Sequence, residues 1–467
     1  MEAWAAGRPA AAHSECLATA VAVRRARGGW LAATQDDWAQ LFAHIAAAPD
    51  AELTALGARG QAYAAEHADW GKTIARYETL LGLTQNEHED AARSSSATPI
   101  LTSPLRAIHQ LLPDIVFGDA ISNQARAVRA HLRQHGYASE IFVKRRDPRL
   151  DATEAQLLDE AQPDQTAALI YHHSIGSAVT AFAVAHRGAK CLVYHNVTPA
   201  EFYAPYRPGF AWMLETGRAH LGRLARHFPA SVGDSAFNAA ELKACGFRAP
   251  GVLPIIIDPD KWNIAPDAEL MARLQDGRTN VLFVGRVAPN KQQGRLVEAF
   301  AHLRRLDEGA RLVIAGEGLN SDPYYNSLRA AIARLDLAPH VEVTGLIEDA
   351  ALLAYYRMAH LYWSFSEHEG FGAPLVEAMW FDVPVLALAA TAVPETLGAA
   401  GVLFAPDEAL TTVAARAEQL TRDTDVRRAV IAAQRARRLD FTSAAVWPAL
   451  ARVVESLAEQ TTSAAVA

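Results

Sequence analysis

Apolar positions in this chain follow two alternating rhythms. From residue 100 onward, short apolar runs rich in β-branched residues alternate with segments whose apolar positions recur at helical spacing. A helix is predicted over Ala120–His135, after the turn VFGDA. The runs EIFV (140–143), AALIY (167–171), KCLVY (190–194) and GVLPIII (251–257) follow as strands. The scheme restarts with NVLFVG (280–285), RLVIAG (311–316), VEVTG (341–345), LYWSF (361–365) and VPVLAL (383–388). Short buried strands alternating with helices predict an α/β chain with parallel, doubly wound sheets. Two such series predict two Rossmann-like domains, 100–257 and 258–440, facing a cleft. A helix at 441–460 is expected to pack back toward the first. Ligands of such sheets bind beyond the C-terminal strand ends.

The front of the chain differs. Residues 1–83 are alanine-rich and mainly helical. They are followed by TQNEHEDAARSSSATP (84–99), which has no apolar period and reads as a linker. MEAWAAGRPAAA (1–12) matches VEAMWFDVPVLA (376–387), with Glu2 on Glu377 and Pro9 on Pro384. Downstream, GGWLAATQDDWAQLFAHIAA from Gly28 resembles GVLFAPDEALTTVAARAEQL. Two alanine-rich segments can match by chance, but the shared spacing favours a duplication. Residues 1–83 are then expected to be the remnant of the C-terminal part of an upstream copy, contributing nothing to a site. Met1 is either the true start or internal to a longer tandem enzyme.

Composition narrows the classes. Hydrophobic residues make up 51% and charged residues 21% of 467, an ordinary globular balance. A net charge of -8 argues against coating nucleic acid. The three cysteines form no CxxC pair, so neither a disulfide framework nor a zinc site is expected. A reducing, cytoplasmic setting fits, and no apolar run approaches the ~20 residues that span a bilayer.

Two stretches carry candidate chemistry. In VGRVAPNKQ (284–292) a strand ends at Gly285, and Arg286 and Lys291 follow on one loop. Glycine at a strand end admits close backbone approach. A guanidinium fork and an ammonium together suit a diphosphate, whose charge grows as it leaves. Two solvated surface cations would look the same from this loop alone. In EHEGFGAPLVEAM (367–379), Pro374 fits the first turn of a helix. The Gly370-Phe371-Gly372 turn then lies where free N–H groups favour an anion. Glu369 before the turn and Glu377 within the helix can each accept from different hydroxyls of one polyhydroxylated ligand. Acceptors for hydroxyls beside cations for phosphates describe a nucleotide sugar.

Together, GRVAPNK and EGFGAPLVE resemble the paired signature of retaining glycosyltransferases of the GT-B fold, the family 4 (group 1) type. Glu369 and Glu377 match its E-x7-E motif, and the resemblance covers about 100–457. It implies that Arg286 and Lys291 hold the donor diphosphate, that Glu369 contacts the transferred sugar, and that Glu377 contacts the ribose. The backbone around Leu346–Ile347 would meet the base. His195 in YHNVTP looks like the family's cleft histidine, and His172 or His173 is expected to line the same rim. GDAISN (118–123) takes the place of the family's glycine loop, with Gly118 followed by Asp119 instead of a second glycine. Asp382 stands where the family commonly has glycine, and Glu395 is retained. No catalytic metal is implied, and DTD (423–425) reads as a helix cap rather than a metal motif.

The implied activity is retaining hexosyl transfer from a nucleoside-diphosphate sugar, GDP-mannose or a relative, to a glycan or lipid-linked acceptor in surface-polysaccharide synthesis. The basic helix pattern GRAHLGRLARHF (217–228) would allow peripheral contact with the inner face of a membrane, although an ordinary exposed helix face reads alike. Three rivals stay open: a glycoside hydrolase, which needs no Arg/Lys clamp; a nucleotide-sugar epimerase of the same fold; and a non-catalytic nucleotide-sugar-binding module.

Overall fold

A computed structural model describes residues 4, 7–13, 17–67, 105–318 and 322–466. The linker 84–99, residues 68–83 and Glu2 lie outside the described residues. The chain divides into two compact units, Met1–Ser95 and Ser96–Ala467.

In the first unit two short parallel strands, β1 (Ala10–His13) and β2 (Gly29–Ala32), are joined by α1 (Leu17–Ala26) and followed by α2 (Gln35–Ala47) and α3 (Asp50–His67). Thr34 and Asp37 form a capping box that starts α2. The core centres on Trp4, whose indole N–H donates to the Gly28 carbonyl at 2.8 Å. Glycine is required where α3 crosses it: a Cβ on Gly60 would lie 2.1 Å from Trp4 Cδ1.

The second unit contains two parallel sheets. The first domain holds β3 (Ile108–Ile115), β4 (Ile141–Arg146), β5 (Gln156–Leu157), β6 (Ala168–His173), β7 (Lys190–Tyr194), β8 (Ala230–Gly233) and β9 (Gly251–Val252). Their spatial order is β5-β4-β3-β6-β7-β8-β9. Its helices are α4 (Ala120–Gln134), α5 (Val179–Ala185), α6 (Pro208–Leu224) and α7 (Ala236–Ala244). The second domain holds β10 (Asn280–Val284), β11 (Arg311–Ala315), β12 (Val341–Gly345), β13 (Leu361–Ser364), β14 (Val385–Leu388) and β15 (Val402–Phe404), in the order β12-β11-β10-β13-β14-β15. Its helices are α8 (Ala268–Leu274), α9 (Gln293–Leu306), α10 (Pro323–Arg334), α11 (Asp349–Met358), α12 (Ala373–Trp380), α13 (Val393–Leu397), α14 (Leu410–Arg422) and α15 (Thr424–Arg437). The strand order reverses beside β3 in one domain and beside β10 in the other. The loops leaving those strands carry Gly118 and Gly285, so both stand at switch-point crevices.

Two apolar junctions join the domains. The last helix, α16 (Ser443–Val466), buries Val446, Leu450, Val453 and Leu457 against Ile108, Val128 and Ile170 of the first. Ile255 and Ile257 pack with Phe371, Val376 and Phe441. The run GVLPIII is thus a strand only over Gly251–Val252. Beyond Pro254 it crosses to the second domain, where Ile257 N–H donates to Phe441 O at 2.9 Å.

Candidate active site in the cleft

The second domain brings the two sequence motifs together. Gly285, at φ +148°, ends β10 in a conformation that side chains resist, and its N–H donates to Ala315 O at 2.9 Å. A turn at Pro289–Lys291 and left-handed Gln292 then launch α9. Asn290 holds this loop to the carboxylate loop twice: its amide donates to His368 O at 3.0 Å, and its carbonyl accepts from Glu367 N–H at 2.9 Å. Lys291 Nζ donates to Glu369 Oε1 at 2.5 Å. Arg286 is exposed and faces the first domain, where its charge offsets part of the upward pKa shift that burial gives the Tyr203 hydroxyl.

Gly372, at φ +88°, turns the chain into α12, with Pro374 in its first turn. Glu369 is anchored by Thr391, whose Oγ1 accepts from Glu369 N–H and donates to Glu369 O, both at 2.9 Å. One α-helical turn into α12, Glu377 accepts from Lys261 Nζ at 2.5 Å and from the Tyr356 hydroxyl at 2.8 Å. Lys261 also lies 4.3 Å from the centre of the Trp262 ring. Burial first, and then Glu377, raise the Tyr356 pKa well above its ordinary value, so this hydroxyl remains a donor. Each carboxylate is therefore paired with a lysine in a partly buried setting, where removing one partner strands a charge. Neither Lys261 nor Tyr356 carries a local sequence signal. Ile347 follows Gly345, which closes β12 at φ +73°, and packs beside the core around Trp262.

In the first domain Gly118 has φ +72° and open space around it, so the requirement there is conformational. Asp119 caps α4, accepting from Ser122 N–H and Ser122 Oγ, each at 3.0 Å. That role accounts for the departure from a second glycine.

The histidines correct a sequence expectation. His172 and His173 do not line a rim; they are 0% and 1% exposed. The His195 side chain is 1% exposed and turned inward. Its Nε2 lies 2.8 Å from His172 Nδ1 and its Nδ1 3.3 Å from Asp234 Oδ2. Burial lowers the His173 pKa to about 4 and the His172 pKa well below its usual range. What His195 presents to the second domain is its carbonyl, which a Cβ on Gly370 would approach to 2.8 Å. Glu395, from α13, caps α7 across the cleft, its Oε1 2.7 Å from Ala236 N. The basic pattern 217–228 is weaker in space than in sequence, because Arg218 turns inward to Glu241 and Val197 O. Asp423 caps α15.

Residues 271–437 match the family model described as Glycosyl transferases group 1. A GDP-mannose-dependent alpha-(1-6)-phosphatidylinositol monomannoside mannosyltransferase of Mycobacterium tuberculosis is 34% identical over 155 residues, which are 31% of this chain and 39% of that relative. The alpha-monoglucosyldiacylglycerol synthase of Streptococcus pneumoniae is 31% identical over 121 residues, 26% of each chain. The chain thus spans well under half the length of either relative. Among solved structures, Anabaena HepE in complex with UDP and glucose superposes with a TM-score of 0.59 at 20% identity, covering 75% of this chain and 100% of that one. Sucrose-phosphate synthase from Thermosynechococcus elongatus gives 0.60 at 17% identity, covering 75% and 99%. Likeness at these identities concerns the fold. The two-sheet unit accordingly has the GT-B fold, and residues 271–437 of its second domain are those that match the glycosyl transferases group 1 model.

Proposed function

We propose that this chain is a retaining glycosyltransferase of the family 4 type. It would take its sugar from a nucleoside-diphosphate sugar, GDP-mannose or a related GDP-sugar being the first choice, and pass it to a glycan or lipid-linked acceptor in surface-polysaccharide synthesis. The observation that carries the reading is the convergence of the cation loop and the E-x7-E motif, with Lys291 Nζ 2.5 Å from Glu369 Oε1 at the switch-point end of β10.

Arg286 and Lys291 then hold the donor diphosphate, with the Gly118 loop opposite. Glu369 and the Gly370-Phe371-Gly372 turn take the transferred sugar, Glu377 the ribose, and the backbone at Ile347 the base. The bond from the sugar's anomeric carbon to the diphosphate oxygen breaks, and a bond to the acceptor oxygen forms on the same face. The acceptor's proton passes to the departing phosphate oxygen. The protein's share is electrostatic: fixed cations offset the charge that develops on the leaving group. In this reading Arg286 and Lys291 serve where other transferases use a metal. The site works in the cytoplasm, with any membrane contact peripheral. No helix among the described residues is long and apolar enough to cross a membrane.

A thermal-shift screen of UDP, GDP and ADP, followed by transfer assays with the matching sugars, tests the proposal. The expected product keeps the donor's anomeric configuration by NMR. Inverted product, or sugar isomerised without any acceptor, would sink it.

A further inference from the structure

A buried chain of hydrogen bonds runs from the centre of the first sheet to the carboxylate turn of the second domain. Gln110, on β3, is 0% exposed, and its Nε2 donates to Ala125 O at 2.9 Å. Its Oε1 is thus the atom 2.9 Å from His172 Nε2, which must carry the hydrogen. A His172 kept neutral by burial then accepts at Nδ1, which makes His195 Nε2 the donor across 2.8 Å. The other ring nitrogen of His195 faces Asp234. The second oxygen of Asp234 accepts from Asn238 Nδ2 in a short bond, and the same amide reaches Gly370 O at 3.4 Å. Asn238 Oδ1 in turn accepts from Asn196 Nδ2 at 2.6 Å, and Asn196 holds φ +73° directly after His195.

Two consequences follow from this connectivity. Both ring nitrogens of His195 are used internally, so its ring has none to offer a substrate. And the chain ends outside its own domain: Gly370 is seated between the His195 carbonyl and the Asn238 amide, one residue from Glu369. Polar groups this deep cost free energy unless paired, and paired groups rigidify what they touch; in this cluster Asn196 Oδ1 is the buried atom left without a partner, while the atoms of the relay itself are paired. The apolar alternative would be easier to bury, yet here six polar side chains, Gln110, His172, His195, Asn196, Asp234 and Asn238, lie at or below 7% exposure.

We infer that His172, Asp234 and Asn238 are positioning residues, which act through His195 and Asn196 to seat the Gly370 turn across the cleft and so place Glu369. This rests on the proposed reading of Glu369 as a contact to the transferred sugar. The nucleotide end of the site, at Lys261 and Glu377, is not touched by the chain.

Asn238→Ala and His172→Leu, made in the full chain, test the inference through two readouts. Hydrogen exchange is followed for peptides covering Ser366–Phe371 and, as reference, Gln293–Leu306. Each variant is expected to speed exchange in the first peptide and leave the second unchanged. In transfer assays kcat is expected to fall by about tenfold to a hundredfold, as for a misplaced reacting geometry, with UDP or GDP affinity within about threefold of the parent. Should His172→Leu fail to fold, Asn238→Ala carries the test. Parental exchange at Ser366–Phe371, or equal losses of nucleotide affinity, thermal stability and kcat, would overturn the positioning role. A parent chain that moves no sugar while exchange responds as expected would instead overturn the functional reading and leave the relay standing.

Discussion

One arrangement of elements occurs twice in this chain, and among the described residues the candidate site surrounds one of the two occurrences. When MEAW is laid on VEAM, the ends of β1, Ala10 and His13, fall on the ends of β14, Val385 and Leu388. Each strand pairs in parallel with the next one in the chain, and two helices follow in both places. Gly7 and Asp382, at the aligned position before the strand, are both left-handed, at φ +68° and +54°. The surroundings differ. β1 and β2 form a two-stranded sheet beside a Trp4 core, whereas β14 and β15 end a six-stranded sheet. Local sequence therefore suffices for the strands and helices. The proposed chemistry draws on what precedes them in the second case: β10 with Arg286 and Lys291, and the turn with Glu369. A glutamate on the entering helix is not a site by itself. Glu377 acquires its setting from Lys261 and Tyr356, which lie far away in sequence.

The largest effect should separate the two occurrences outright. Lys291→Ala is expected to lower kcat by about a thousandfold or more, as for removal of a fixed charge at a developing anion, while circular dichroism stays unchanged. Undiminished transfer by this variant would end the assignment. Glu377→Gln, which leaves Lys261 facing a neutral amide, should weaken kcat/KM by about tenfold to a hundredfold. Glu2→Gln, at the aligned position, should leave both constants within error. A loss there would show that the front unit contributes to the site.

The same contrast explains what was legible in the sequence. KCLVY and VEVTG are β7 and β12 to the residue, because short runs dominated by apolar and β-branched residues leave few other readings. The first strand of the two-sheet unit, β3, is not visible in the apolar pattern. IHQLLPDI carries polar His109 and Gln110 and a proline, which argues against a central strand. Gln110 is the residue that opens the buried relay, so the side chain that hid the strand is one with a polar role in the core. β8 escaped for another reason: it has four residues and ends at Gly233, where a Cβ would lie 2.5 Å from Ala239 N. The motif residues of the candidate site were legible because glycine, proline, arginine and glutamate at fixed spacing have few alternative uses. Their partners Lys261, Tyr356, Asp234 and Asn238 were not, since tertiary packing alone brings them in. The inward turn of His195 was hidden for the same reason: a histidine after a strand looks alike whichever way its ring points.

A middle-sized effect tests whether the front unit stands by itself energetically. Gly60→Ala drives a methyl group toward the Trp4 ring, at 2.1 Å from Cδ1. Overpacking of this kind costs about 1–3 kcal/mol, which is a large share of what a unit this small can hold. Chemical denaturation followed by tryptophan fluorescence should show an early transition in this variant. Transfer kinetics should not move. If kcat/KM falls with the early transition, the two units are coupled and the front unit does not stand by itself.

The smallest effect lies at the aligned left-handed position. Gly7 adopts it freely, whereas Asp382 adopts it and also binds Arg435 through two contacts of 2.8 and 2.5 Å and Arg438 at 3.3 Å. Asp382→Gly relieves the strain of a side chain at positive φ but loses those contacts and frees the unfolded chain. About a third of the Asp382 side chain is exposed, so solvent screens the pairs, and a net loss of only about 0.5–1 kcal/mol is expected at neutral pH. The hydrogen bonds from Arg435 hold the Asp382 pKa below its ordinary value. Its contribution is therefore fully present above the unfolded carboxylate range near pH 4 and is lost as pH falls through the lower, folded value. Urea midpoints of parent and variant should differ at pH 7 and converge below about pH 4. If they differ equally at both pH values, backbone conformation sets the preference at this position, and Asp382 is no more than a substitute for the glycine that Gly7 retains.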